Sequence, residues 1–441
     1  MNLRRYFKWF LEDIDMKELE LRFRPVILGS DITAYSIARS FHEEYGIRPL
    51  AIGMIDSGYV ANSSFIETIT RHGMDDPEVA IKTLIEIGEL YGNYMQLILF
   101  GCGDWYVRII IENKDRLSKY YTIPYIDKDL YDTIVIKDNF YALCDHLGLD
   151  YPKTYIYKCN SANSQNEASH ELNLILNSPY NKDITLETLP DLEYPVIAKP
   201  ANSAVYHYAQ FEGKKKVYKC KSKEDLINVL KSVEASEYDQ NFLIQDMIPG
   251  DDTNLRVLTC YCDSNHKMRF AALGRTLIED PTPTAIGNSV AIINEVNSDI
   301  TEAARKFLEY VEFTGFASFD LKYDSRDKKY KFFEINVRLG RSNFYVTGSG
   351  YNCVKWIVDE YVYHKLPDYE VADKECLYSV VPMQVIKKYV PEGELKNRAI
   401  QLWKNGKLAR PLFYKGEKSI MSKYYAYMNY FHYIAKFRRY S

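Results

Sequence analysis

The stretch FASFDLKYD, residues 316–324, is joined by the polar turn 325–328 to KKYKFFEINVR, which runs to residue 338, and this pair decides how the second half of the chain folds. Both runs are rich in aromatic residues and are bounded by polar turn residues, which predicts two strands of a β-hairpin. Side chains two apart in a strand share a face, so Glu334 and Asn336 point the same way, and pairing can bring Asp320 beside them. Two carboxylates and an amide oxygen are hard donors, of the kind that Mg²⁺ takes together with phosphate oxygens and water. A half-exposed acidic hairpin face has the same composition, so the pattern alone does not establish a metal site.

Upstream of the hairpin, LRVLTCY and MRFAALG read as further long strands, and TEAARKFLEYV as a helix, so that antiparallel β-structure dominates from residue 255. The N-terminal part has a different style. PVIL at 25–28 is a short buried strand, Gly29-Ser30-Asp31 a turn and cap, and Ile32–Tyr45 a helix ending at Gly46. A strand at Leu50–Gly53, a helix at Pro77–Tyr91 and a strand at 95–100 that turns at Gly101-Cys102-Gly103 continue the alternation. Strands alternating with helices predict a parallel sheet across residues 20–125. Neither GSD nor GCGD completes G-x-G-x-x-G, so a Rossmann-like domain that holds a substrate is preferred to a dinucleotide site.

Between these parts, TIVIKDNFYALCDHLGL places Lys137 at a predicted strand–helix junction with the helix ending near Gly148. The strand YPVIAKP carries Lys199, a polar loop ANSAVYHYA follows at 201–209, and the strand NFLIQDMIPG ends at Gly250. Residues 160–190 read as a helical insertion, and a separate segment at 371–420 precedes a Tyr-rich end.

The chain has 441 residues, of which 46% are hydrophobic and 26% charged, the composition of a folded protein of several domains. A net charge of −4 offers no global field for nucleic acid, and a nucleic-acid partner is not expected. No stretch approaches ~18 uninterrupted apolar residues, and acidic residues interrupt the N-terminal aromatic patch, so a cytoplasmic protein is expected. Eight cysteines without a C-x-x-C pair read as buried free thiols, and no histidine motif of a zinc hydrolase occurs.

Taken in order, YPVIAKP, FLIQDMIPG, FDL and FEINVRLGR resemble the ATP-grasp superfamily of carboxylate–amine ligases, over roughly residues 25–365. The segment PVILGSDITAYSIARSFHEEYG is in addition similar to the pre-ATP-grasp domain of the D-aspartate ligase group. The resemblance implies an α/β and α+β architecture: a Rossmann-like pre-ATP-grasp substrate domain over residues 1–130, then a two-lobed ATP-grasp domain with antiparallel sheets. Its N-terminal lobe spans 131–250, its C-terminal lobe 251–370, and a C-terminal extension 371–441. It further implies that Lys137 and Lys199 meet the phosphates of ATP and that Ser203 lies in the phosphate flap. Adenine is expected at backbone groups of Met247 and Ile248, with either Gln245 or Asp246 at its exocyclic amine, and Asp252 at the ribose. Asp320, Glu334 and Asn336 are expected to hold Mg²⁺, as two ions, and Arg338 to stabilise the acyl phosphate. Arg275 and Arg341 are candidates for the same anion or for a substrate carboxylate. The implied reaction joins an amino acid, D-aspartate in this group, to an amine acceptor, the lysine side chain of a UDP- or lipid-linked muropeptide. A ligase of natural-product or surface-polymer assembly, and a catalytically inactive ATP-binding module, are the rival readings.

At the C-terminus, Tyr427, Met428, Phe431, Ile434 and Ala435 form a helical apolar stripe followed by Lys436, Arg438 and Arg439. Such a stripe either docks on its own protein or lies on a membrane surface, and docking is the stronger expectation. A homodimer is compatible with the sequence.

Overall fold

A computed structural model describes residues 22–159, 183–202, 205–206, 209–283, 285, 287–366 and 368–441. The predicted insertion at 160–190 lies largely outside the described residues, and Ser203 lies outside them too.

The first sheet contains β1 (Phe23–Leu28), β2 (Leu50–Gly53), β3 (Glu67–Thr70), β4 (Gln96–Gly101) and β5 (Tyr121–Thr122) in the order β3-β2-β1-β4-β5. All of its pairings are parallel. Strands covered by helices on both faces need no polar side, which is why β1 and β2 are buried at every position. The chain leaves β1 toward one edge and later returns to β4 on the other side, so the strand order reverses between β1 and β4. Outside the carboxyl ends of those two strands lies the crevice where open parallel sheets bind ligands. Local signals place the helices here: Asp31 caps Ile32–Tyr45 by accepting from the amides of Thr33 and Ala34, and Gly46 closes it at φ 74°.

The second sheet is built from β6 (Thr154–Tyr157), β7 (Asp183–Ile184), β8 (Val196–Pro200), β9 (Tyr218–Cys220) and β10 (Phe242–Asp246), in the order β7-β6-β10-β8-β9. The helix Lys223–Glu234 is capped by Ser222 and buries Leu226, Leu230 and Val233 in a small separate core with Val196, Ala198, Phe242 and Ile244.

The third sheet runs β15-β14-β11-β12-β13-β17-β18, with β16 beside β12. Its strands are β11 (Leu255–Cys262), β12 (Met268–Glu279), β13 (Ser289–Glu295), β14 (Gly315–Asp324), β15 (Lys329–Asn336), β16 (Glu370–Val371), β17 (Leu377–Ser379) and β18 (Leu408–Ala409). The helix Ser298–Tyr310 buries Ile300, Ala304, Phe307 and Leu308, positions that share one helical face. Phe307 meets Phe319 of β14 edge-on at 5.7 Å and Phe140 at 5.2 Å. These contacts pin the helix Lys137–Leu147 against the third sheet.

Lys137 is not at a strand–helix junction. A helix at Lys128–Ile134 precedes it, and Lys137 opens the next one. The apolar run TIVI is thus the end of one helix and a two-residue link. Residues from Glu370 onward add β16, β17 and β18 to the third sheet, and Glu417 accepts hydrogen bonds from Ser63 and Ser64, which ties this segment to the first sheet. All eight cysteines are buried and unpaired. Among the described residues no helix is long and apolar enough to cross a membrane.

Candidate active site

Pairing of β14 with β15 sets Asp320 opposite Glu334 and Ser318 opposite Asn336, so the hairpin presents the two carboxylates and the amide together. A bulge directly after Asp320 breaks the ladder there. The Asn336 amide donates to Asp320 at 3.2 Å. Lys137 sits 3.1 Å from Glu334. The ammonium groups of Lys137 and, farther away, Lys199 hold the Glu334 carboxyl well below the usual carboxylate range. Burial and the neighbouring Glu334 charge push Asp320 in the opposite direction. Such a half-compensated carboxylate pair suits a hard cation. Among the described residues no group of three or more carboxylate, thiol or imidazole side chains is placed to hold a metal ion.

Lys199 projects from β8, and its ammonium donates to the Tyr141 hydroxyl at 3.3 Å. That hydroxyl in turn donates to the Phe333 carbonyl at 2.6 Å. Burial, then repulsion by Lys137, lowers Lys199 to about 7. Tyr141 went unnoticed in the sequence, although it lies four residues after Lys137 on the same helix and so faces the same way.

The end of β10 and the segment after it run beside β14. Gln245 is buried, and its amide donates to Thr154 at 2.7 Å within the sheet. Asp246 faces a polar cavity of about 530 Å³ that it shares with Thr154, Asp324 and Lys331. Met247 is half-buried and Ile248 buried. The carbonyls of Ile248 and Gly250 accept from Lys322 at 3.1 and 2.9 Å. Asp252 accepts from the backbone of Glu279 at 2.9 Å, and burial together with the Asp252 charge raises Glu279 to about 7. Lys322 and Glu279 are further site groups that sequence reasoning missed. Alternation was a signal for Lys322, two residues beyond Asp320. Tyr206, beyond β8, is buried against Tyr238 and Phe242 and shares a 2.8 Å hydrogen bond with the Tyr218 hydroxyl.

Arg338 extends the acidic group toward the first sheet. Its guanidinium donates to Asp104 at 2.7 Å and lies 3.5 Å from the Asn336 amide oxygen. Arg341 donates to Asp31 at 3.2 Å. Arg275 is not brought to this group. It pairs in register with Arg256, which pairs with Leu321, so it shares the face of Leu321 and not that of Asp320. There it donates to the Thr253 carbonyl at 3.0 Å.

No family model matches the chain. Phosphoribosylamine–glycine ligase from Thermotoga maritima has a similar fold, with a TM-score of 0.54 and 17% identity, over 80% of this chain and 78% of that one. The biotin carboxylase domain of 2-oxoglutarate carboxylase from Hydrogenobacter thermophilus, crystallised with MgADP, ADP and bicarbonate, gives a TM-score of 0.52 at 12% identity, over 79% and 71% of the two chains. The fold is that of the ATP-grasp carboxylate–amine ligases. At the level of sequence, the D-aspartate ligase of Enterococcus faecium is 36% identical over 428 residues, 95% of this chain and 96% of that protein. The chain belongs to the D-aspartate ligase family and is an ATP-dependent ligase.

Proposed function

We propose that the enzyme uses ATP to activate D-aspartate and joins it to the lysine side chain of a peptidoglycan precursor in the cytoplasm, releasing ADP and phosphate. Lys137 and Lys199 hold the phosphates, Met247 and Ile248 offer backbone groups to adenine, and Asp252 takes the ribose. Asp246, half-exposed, is free to meet the adenine amine, whereas Gln245 is engaged with Thr154. Asp320, Glu334 and Asn336 hold Mg²⁺, as two ions, which supplies charge neutralisation at the phosphoryl oxygens.

A substrate carboxylate oxygen attacks the γ-phosphorus and the bond to the ADP oxygen breaks, leaving an acyl phosphate. The acceptor nitrogen then attacks the acyl carbon and phosphate departs; of the two protons the ammonium loses, one leaves with the phosphate and one goes to solvent. Arg338 holds the negative charge that builds up on the carbonyl oxygen and the phosphate.

What supports this reading is the position of Arg338, between the Asp320–Glu334–Asn336 group on one side and Asp104 at the carboxyl end of β4 on the other. Phosphate release from Mg-ATP should depend on D-aspartate and a muropeptide acceptor when a panel of D- and L-amino acids is compared. Release that responds to L-amino acids or a dipeptide but not to D-aspartate refutes the substrate assignment.

A further inference from the structure

Two ion pairs span the crevice where the parallel sheet meets the third sheet. Leu28 of β1 and Gly101 of β4 are partners in register, and Asp31 and Asp104 each lie three residues beyond them. Both acids therefore stand at the carboxyl ends of adjacent strands, at the point where the strand order reverses. Arg338 and Arg341, also three residues apart, come from the loop after β15 and pair one with each acid. The two loops approach closely because Gly29 has no side chain: with φ at 135°, an added Cβ would sit 2.6 Å from Cβ of Cys102.

The two pairs differ in their surroundings. Asp31 is committed to capping its helix, and one of its oxygens faces Arg341. Arg341 lies near Tyr59 and Tyr433, the latter on the C-terminal helix Ile420–Tyr440, and remains half-exposed. Asp104 begins its helix, is largely exposed, and has Arg338 as its ion-pair partner. Two guanidinium groups beside an exposed carboxylate match a solute with two carboxylates and one ammonium.

Resting on the D-aspartate reading above, we propose that this crevice is the acid-substrate pocket. Arg341 takes the carboxylate that is not activated, Arg338 stands at the one that is, and Asp104 exchanges Arg338 for the substrate ammonium. Arg341 is then the residue that selects a dicarboxylic over a neutral amino acid.

The test is steady-state phosphate release from Mg-ATP by the full chain with muropeptide acceptor, comparing D-aspartate, L-aspartate, D-glutamate, D-asparagine and succinate. Loss of a charge-assisted pair should raise the KM for D-aspartate roughly 10- to 100-fold in Arg341→Gln and remove its preference over D-asparagine, with the KM for ATP unchanged. Arg341→Lys, which keeps the charge but not the planar fork, should fall between and serves if the glutamine variant does not fold. Asp104→Asn should narrow the preference for D-aspartate over succinate. A preference for D-aspartate over D-asparagine that survives Arg341→Gln, or an equal loss with every acid and with ATP, overturns the pocket. If the wild-type enzyme instead prefers L-aspartate or D-glutamate, and Arg341→Gln removes that preference, the pocket stands and the D-aspartate reading fails.

Discussion

Lys137 acts on the charge states of both Glu334 and Lys199. Lys137, at 3.1 Å, keeps Glu334 ionised. Replacing it with glutamine removes the negative charge while preserving shape, so Glu334→Gln should lower kcat by about 10²- to 10³-fold, the usual cost of a lost electrostatic contact to the reacting group. The thermal transition should be nearly unchanged, because Glu334 lies on the edge strand of the sheet. Near-normal phosphate release by a folded variant refutes the metal assignment.

Lys199 carries a pH dependence. In the free enzyme burial and Lys137 lower it to about 7, so above that pH it is increasingly neutral, whereas bound phosphates favour the ammonium. Binding of Mg-ADP should therefore take up protons above pH 7, and affinity should fall as pH rises toward 9. Calorimetry at pH 8 in two buffers of different ionisation enthalpy reads the uptake directly, and Lys199→Met should abolish it. Equal heats in the two buffers for the wild type exclude the role. At this scale the sequence was informative wherever a side chain's direction follows from strand alternation, as for Asp320, Glu334 and Asn336. It said nothing of which face Arg275 takes, because that depends on pairing of β12 with β11, a contact some 20 residues away.

Helix boundaries were legible because caps are local chemistry. Asp31, Gly46 and Gly148 end their helices as read, with both glycines at positive φ. Asp31→Ala should cost about 0.5–2 kcal/mol by removing the oxygen that accepts from two backbone amides, and Asp31→Asn much less, since asparagine caps nearly as well. Urea unfolding of the two variants compares them, and equal losses would show that the cap is not what Asp31 contributes. Short strands were not legible. β3 has four residues and β5 two, too few for a period to emerge, and their apolar positions are set by the sheet they join. The run TIVI before Lys137 shows the same ambiguity from the other side, since four apolar residues fit a helix end as well as a strand.

The assembly of the whole molecule rests on contacts that no local pattern encodes, and the C-terminal helix is the clearest case. The stripe singled out in the sequence faces outward, with Tyr427, Met428 and Phe431 each more than half exposed. The helix docks instead through Ser422, Ala426, Tyr433 and Phe437, an inner face containing only two large apolar side chains. Lys436 pairs with Asp280 at 3.0 Å, and Tyr425 covers Gly58, where an added Cβ would meet the ring at 2.4 Å. This helix thus closes the core shared by the first and third sheets and flanks Arg341 with Tyr433. A chain ending at Lys423 should lose stability by several kcal/mol, because Tyr433 and Phe437 leave a cavity over Tyr389 and their neighbours. Among the molecules that remain folded, the KM for the acid substrate should rise while the KM for ATP does not, since the phosphate lysines lie on other elements. Tyr433→Phe separates the two contributions: it keeps the packing and loses the hydroxyl beside Arg341, so its melting temperature should stay close to that of the full chain while the KM for D-aspartate rises. An unchanged KM for D-aspartate in both variants would mean that the helix only supports the fold.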